Sequence, residues 1–137
     1  MNISYVPSGE TIKKFHHDDS FVRMIRGCVG SGKTTACLYE ILIRTLKQTP
    51  CVDRVRRSRW IVIRSTYPEL KSTTIKSWLD LMGNICTMKY DVPITSTIKI
   101  DNIGDGTGLD LEVVFIALDS DLSIEKLKSF ETTGICF

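Results

Sequence analysis

The sequence lacks the features that mark membrane, disulfide-rich and zinc-binding proteins. Its apolar runs stay well short of the roughly 20 residues that a membrane-spanning helix needs, and its first residues do not resemble a signal peptide. The five cysteines form no CxxC pair and have no histidine at metal-ligand spacing. We therefore expect no disulfide framework, no zinc site and no membrane partner, and a reducing, cytoplasmic setting fits.

The sequence also has few histidines and a small net charge. His16 and His17 are adjacent in a polar stretch and are predicted to be a solvated pair without a catalytic or metal role. The formal net charge of +2 is too small to indicate nucleic-acid binding by itself. Four arginines nevertheless fall in one short stretch: Arg54, Arg56, Arg57 and Arg59. A solvated loop is predicted there, with contact to a DNA backbone as the alternative.

What the sequence does contain is an ordinary globular composition with a clear alternation of elements. Its 137 residues, 42% hydrophobic and 25% charged, suit one folded domain. Residues 1–19 are polar and predicted to be irregular. Predicted strands cover residues 21–26, 60–63 and a stretch from 133 onward, and predicted helices cover residues 33–46, 74–82 and 123–128. Residues 94–100 and 111–118 are predicted to form a hairpin joined at residues 104–108. This order favours an α/β fold.

The segment GCVGSGKT at residues 27–34 matches the phosphate-binding P-loop pattern GxxxxGK[ST]. Glycines let successive backbone N–H groups wrap around a phosphate, and the start of the following helix adds partial positive charge. Lys33 is expected to reach the β- and γ-phosphates, Thr34 to ligate Mg²⁺ and Thr35 to approach the α-phosphate. The residues predicted to bind the nucleotide are Gly27, Gly30, Ser31, Gly32, Lys33, Thr34 and Thr35.

Hydrolysis also needs acidic residues that bind Mg²⁺ and orient the attacking water. Asp119 follows the apolar residues 111–118, but Ser120 stands where a second acid would be expected. The other candidate strand starts at Thr133, and its acids, if it has them, would follow Phe137. The sequence pattern leaves both possibilities open.

Two further segments resemble the large terminase subunits of tailed bacteriophages, the ATPases that pump DNA into proheads. Residues 64–70 read RSTYPEL and are followed by TTIKSW at residues 73–78. In that family an R-x-T-Y-P-E-L segment follows the P-loop helix, and an L-x-x-x-E-x-T-G-apolar segment leads into the Walker B strand. Residues 127–137 are similar to the second segment, and the resemblance covers roughly residues 12–137.

The resemblance implies a P-loop NTPase fold of the ASCE or RecA-like kind, with a mainly parallel central sheet flanked by helices plus a β-hairpin. It implies ATP and Mg²⁺ as cofactors. The strand that begins at Thr133 would be Walker B, with its acidic pair after Phe137, and Asp119 would lie in the loop after the preceding strand. Residues 1–137 would then be an incomplete ATPase domain, truncated at its carboxyl end and without the family's nuclease domain.

The resemblance also implies catalytic residues and partners. Terminase motors carry a basic residue, usually arginine, shortly before Walker B, and Lys126 or Lys128 occupies that region here. Lysine lacks the bidentate fork of arginine, and two solvated lysines are the alternative. Arg64 is expected to face phosphate or a subunit interface, or to form an ion pair with Glu69 or Asp80. The candidate catalytic residues are Lys33, Arg64 and Lys128. The implied partners are double-stranded DNA, the small terminase subunit and the portal protein, around a homo-oligomeric ring in the host cytoplasm.

Three functions are therefore predicted. The first is an ATP-binding motor domain that couples ATP hydrolysis to translocation of double-stranded DNA into the prohead, an ATPase as the full-length protein. The second is another P-loop enzyme, a helicase-like ATPase or small kinase, with Asp119 as the Mg²⁺ ligand. The third is a nucleotide-binding module without turnover.

The chain is expected to bind ATP but to hydrolyse it very slowly, because the acids implied for Walker B are not among residues 1–137. In a phosphate-release assay with Mg²⁺, turnover should stay far below about 1 s⁻¹, the low end of the range usual for enzymes. Turnover of about 1 s⁻¹ or faster would contradict this expectation.

Overall fold

The computed structural model describes residues 3–91, 93–119 and 121–137 as an α/β fold. The strands are β1 (Val55–Arg64), β2 (Thr87–Lys89), β3 (Ile94–Ile100), β4 (Gly108–Ala117) and β5 (Gly134–Cys136). The helices are α1 (Gly9–His17), α2 (Lys33–Lys47), α3 (Tyr67–Glu69), α4 (Lys76–Met82) and α5 (Asp121–Ser129), and a π-helical segment (Leu70–Ile75) joins α3 to α4. Among these residues no helix is long and apolar enough to cross a membrane.

The strands form one mixed sheet in the order β2-β3-β4-β1-β5. β1 is parallel to both β4 and β5, whereas β3 is antiparallel to β4 and to β2. The predicted hairpin is confirmed, but the predicted mainly parallel sheet is wrong. The turn at residues 101–107 is too short for the crossover that a parallel pair requires, so β3 must run against β4.

The two faces of the sheet carry separate apolar clusters, because successive side chains of a strand point to opposite faces. The larger cluster packs α2, the π-helical segment and α4 against one face, with Val62, Trp78 and Phe115 among its buried members. The smaller cluster covers the other face, where Leu127 and Phe130 pack on residues of β1 and β4. The sheet is therefore sandwiched between helices, as the α/β prediction required.

The helix that follows β1 begins earlier than predicted. The sequence pattern predicted a helix over residues 74–82, whereas helical structure starts at Tyr67. Thr66 caps it, since its hydroxyl accepts a hydrogen bond from the backbone N–H of Glu69 at 3.4 Å. Pro68 lies in the first turn, where its missing N–H costs nothing. Pro68 is therefore compatible with the start of this helix.

Residues 21–26, predicted as the strand before the P-loop, are not a strand. They are irregular, and the side chains of Phe21, Val22 and Met24 are largely exposed. A strand needs the hydrogen-bond ladder of a neighbour, and residues 21–26 pair with none of the five strands of the described sheet. The alternation of apolar and basic residues was thus an insufficient signal.

The amino-terminal segment contains a helix that its polar composition concealed. Ile12 and His16 lie on one side of α1 and are buried. His16 is therefore not part of a solvated pair as predicted, whereas His17 is exposed. The prediction of irregular structure over residues 1–19 is wrong over the length of α1.

A buried carboxylate on α2 holds this segment in place. Glu40 accepts hydrogen bonds from the guanidinium groups of Arg23 at 2.5 Å and Arg44 at 2.6 Å. Nδ1 of His16 lies 2.5 Å from its other oxygen, and the Tyr5 hydroxyl lies 2.9 Å from Nε2 of His16. Glu40 is only 4% exposed, so these partners replace water.

The partners of Glu40 also determine the direction in which its pKa is shifted. Burial by itself would raise the pKa of Glu40, but hydrogen bonds from His16, Arg44 and Arg23 outweigh burial and lower it. A carboxylate with a lowered pKa stabilises the fold above its unfolded-state pKa of about 4.3. This contribution is lost as the pH falls through the folded-state pKa.

Glu40→Gln is expected to lower the free energy of unfolding by about 3 kcal/mol at pH 7, because the largely buried Arg23 loses its carboxylate partner and Arg44 keeps only the exposed Asp19. The difference from wild type should shrink as the pH falls through the lowered folded-state pKa of Glu40, where the wild-type carboxylate becomes protonated. Urea unfolding at a series of pH values from 7 downward measures both effects. Glu10→Gln, at a side chain that is 80% exposed, is the matched control and should change stability little. Equal effects of the two substitutions at pH 7 would contradict the anchoring role of Glu40.

Candidate nucleotide-binding site

The predicted P-loop is a glycine-dependent turn that leads directly into α2. Gly30 and Gly32 have φ angles of 77° and 79°, in the left-handed region that residues with a β-carbon rarely adopt. Gly27 has a different requirement, since a β-carbon there would lie 3.0 Å from the Ser31 hydroxyl oxygen. The two glycines of the pattern and Gly30 between them thus each serve the tight path of the loop.

Lys33, the first residue of α2, folds its side chain back into this loop. Its ammonium donates hydrogen bonds to the carbonyl oxygens of Gly27 at 2.8 Å and of Cys28, and to the Ser31 hydroxyl at 3.0 Å. A positive charge therefore lies at the centre of the turn. The Lys33 side chain therefore contacts the predicted loop residues directly.

The start of α2 adds favourable potential for an anion. Its N-cap residue is Gly32, which has no side chain to cap the helix, and the first turn contains no acidic residue. The backbone N–H groups at a helix start carry partial positive charge, and no carboxylate of this turn offsets it. Thr34 and Thr35 lie in this first turn.

Arg64 reaches the same place from the end of β1. Its Nε donates to the Thr74 hydroxyl at 2.9 Å, and its NH2 group lies 3.4 Å from the Thr34 hydroxyl oxygen. The sequence left open an ion pair of Arg64 with Glu69 or Asp80, and the described contacts of Arg64 do not include one. Arg64 instead joins the first turn of α2 to the π-helical segment.

Asp119 lies at the same edge of the sheet. β1 and β4 end in register, with Arg64 opposite Ala117, and the backbone N–H of Leu118 donates to the Arg64 carbonyl oxygen at 2.9 Å. Asp119 follows and is exposed. Ser120, the position expected to carry a second acid, lies outside the described residues.

Two cysteines that are far apart in sequence meet beside this edge. Cys37 lies on α2 and Cys136 ends β5, and a hydrogen bond between the two thiols together with burial raises the pKa of Cys136. All five cysteines are free, as expected from the absence of a disulfide pattern. Nothing in their sequence spacing indicates this pair, because only the position of β5 beside β1 brings the two cysteines together.

A cavity of about 360 Å³ adjoins the loop. Gly32 and Thr35 line it from the side of α2, Tyr5 and Ile12 from the amino-terminal segment, and Asp80 from α4. Its volume lies in the range of small-molecule sites. Sequence reasoning missed this cavity because residues 1–19 were predicted to be irregular.

Comparison of the chain with protein-family models, curated proteins and solved structures finds no match. Functional inference therefore depends on the residues and their geometry. Within the described ranges, no group of three or more histidine, cysteine, aspartate or glutamate side chains is arranged to hold a metal ion. Mg²⁺ commonly takes only one or two protein ligands and completes its shell with phosphate oxygens and water, so a single threonine ligand is compatible with it.

The remaining predicted site residues lie elsewhere. Lys126 and Lys128 are exposed on α5, which packs on the sheet face opposite α2, and the role of Lys128 stays a prediction.

The run of four arginines is mostly part of β1 and not a loop. Its charges are paired with acids: Arg56 with Asp105, Arg57 with Asp53 and Arg59 with Glu112. Contacts of this kind reduce the charge that the run would offer to a DNA backbone.

Proposed function

We propose that this chain binds ATP with Mg²⁺ at the P-loop, as the ATP-binding motor domain of a viral DNA-packaging terminase large subunit. The observation that carries the nucleotide assignment is the position of the Lys33 ammonium inside a turn with two left-handed glycines, at the start of an uncapped helix. Phosphate is the anion that such a turn fits best, because its oxygens accept from several N–H groups at once.

The chemistry expected of each residue follows from its position. The Lys33 ammonium would exchange carbonyl oxygens of the loop for oxygens of the β- and γ-phosphates. Thr34 would contribute the one protein ligand to Mg²⁺, which neutralises phosphate charge during transfer. The cavity beside Thr35 has room for a nucleoside. Each of these groups holds or orients the nucleotide, and none of them activates water.

The packaging assignment draws support from the segments that resemble terminases. The R-x-T-Y-P-E-L segment provides Arg64 at the nucleotide edge and the cap at Thr66. The register of β5, with Cys136 opposite Val62, puts the end of this strand two residues short of the level of Arg64, and the packaging assignment expects the Walker B acids near that level. The proposal includes ATP hydrolysis by the full-length protein and double-stranded DNA as its substrate. It also includes the small terminase subunit and the portal protein as partners, and a homo-oligomeric ring in the host cytoplasm.

Lys33→Ala is expected to weaken binding of ATP in the presence of Mg²⁺ by at least about 30-fold, because it removes a charge-assisted contact to two phosphates. Isothermal titration calorimetry measures the dissociation constants of wild type and variant. Lys47→Ala, at the exposed last residue of the same helix, is the matched control and should bind as wild type does. Indistinguishable affinities of the two variants would overturn the assignment of the P-loop.

A second candidate is a P-loop enzyme of another kind, in which Asp119 ligates Mg²⁺. It is favoured by one observation, the position of Asp119 directly after β4 at the edge that Arg64 and Thr34 share. Geometry at this edge is compatible with either an aspartate after β4 or acids after β5. The two readings make opposite predictions for one substitution.

Asp119→Ala is expected to change the Mg²⁺-dependent affinity for ATP less than about twofold, because the packaging assignment puts the metal ligands elsewhere. Calorimetric titration with Mg²⁺ and with EDTA measures the dependence. Asp101→Ala, an exposed aspartate at the other end of the hairpin, controls for loss of one surface charge. Loss of Mg²⁺-dependent binding in Asp119→Ala alone, with an unchanged melting temperature, would favour the second candidate.

A further inference from the structure

Under the proposed function, Arg64 and the Mg²⁺ ion compete for the same oxygen. The guanidinium NH2 of Arg64 lies 3.4 Å from Oγ1 of Thr34, the atom that is expected to ligate Mg²⁺ under the proposed function. A hydroxyl that ligates a divalent cation cannot keep a second positive charge beside it without strong repulsion. Binding of Mg²⁺ to this oxygen would therefore weaken its contact with Arg64.

A second contact fixes the other side of the Arg64 guanidinium. Its Nε donates to Oγ1 of Thr74 at 2.9 Å, a shorter contact than the one to Thr34. Thr74 is 1% exposed, so its hydroxyl has little access to water and depends on protein partners. A guanidinium held at Nε keeps its two terminal NH2 groups available for another acceptor.

Thr74 owes its position to the π-helical segment. This segment runs from Leu70 to Ile75, both buried in the larger apolar cluster, and continues into α4 with Trp78 in the same cluster. A π-turn has one residue more than an α-turn, and such turns occur often at functional sites. The wide turn is held on both sides by the core, which leaves the Thr74 hydroxyl at a defined place facing the end of β1.

We propose that Arg64 senses the terminal phosphate, with Thr74 as its positioning residue. The inference rests on the proposed nucleotide site. In this scheme Arg64 rests on Thr34 without nucleotide, leaves it when Mg²⁺ takes the hydroxyl, and swings its terminal NH2 groups to the γ-phosphate while Nε stays on Thr74. The arginine then distinguishes ATP from ADP and connects the loop to the π-helical segment and α4.

The test is the ratio of ADP to ATP dissociation constants, measured by calorimetry with Mg²⁺ and with EDTA. With Mg²⁺, Arg64→Gln should reduce the ratio about tenfold, because one charge-assisted hydrogen bond to the γ-phosphate is lost. Thr74→Val, which removes only the hydroxyl, should reduce it several-fold, and Thr74→Ser should retain the wild-type ratio. In EDTA the variants should not differ, because nothing displaces Arg64 from Thr34.

Several outcomes overturn the proposal. Equal ADP-to-ATP ratios of dissociation constants for wild type, Arg64→Gln and Thr74→Val with Mg²⁺ would show that Arg64 does not bind the γ-phosphate. Equal losses in Thr74→Val and Thr74→Ser would show that the hydroxyl is not what positions it. Should Thr74→Val fail to fold by circular dichroism, Arg64→Gln and Arg64→Lys carry the test, with Lys expected to lose the preference because it has no Nε contact to Thr74.

The same titrations separate this inference from the function on which it depends. If wild type binds neither nucleotide, the proposed function fails and the inference fails with it. Another outcome is that wild type binds both nucleotides, Lys33→Ala binds neither, and the ratio of dissociation constants is unchanged by substitutions of Arg64 and Thr74. In that case the nucleotide site stands and only the sensor role of Arg64 is wrong.

Discussion

The parallel pairing of β1 with β4 is the constraint on which the rest of the structure depends. It runs over the full length of both strands, from Val55 opposite Gly108 to Arg64 opposite Ala117. Because the two strands end level, one edge of the sheet presents Arg64 and the residues after β4 together. The alternating faces of the same pair fix where α2 and α5 pack. Core and candidate site are thus consequences of one register.

Polar contacts then attach the loop to this frame at two places. Glu40 draws the amino-terminal segment onto α2 through Arg23, Arg44 and His16, which encloses the cavity beside the first turn. Arg64 draws the first turn toward the π-helical segment. The first contact involves the buried Glu40 carboxylate and the second the buried Thr74 hydroxyl, and an unpaired buried polar group is costly. The loop is therefore held by groups that respond to charge, which suits a site for an anionic ligand.

Local sequence signals succeeded where one short pattern carries its own physical cause. The helix that begins at Lys33, the apolar strand at residues 60–63 and the β-hairpin are confirmed by the structure. Gly30 and Gly32 have the left-handed backbone that a glycine-dependent turn needs. Local signals failed where formation depends on a distant neighbour. The alternation at residues 21–26 found no strand to pair with, and α1 was hidden because its stability comes from two residues buried against the rest of the fold.

By itself the sequence determined an α/β domain with a tight, glycine-dependent turn that holds a lysine at the start of a helix, because backbone conformation and helix position are local properties. Only the tertiary structure decided that the sheet is mixed, that His16 is buried on Glu40, and that Arg64 contacts Thr34 and Thr74 in place of Glu69 or Asp80. Those outcomes depend on which strand ends and helix faces are brought together. A local sequence pattern does not indicate contacts between residues that are far apart in the chain.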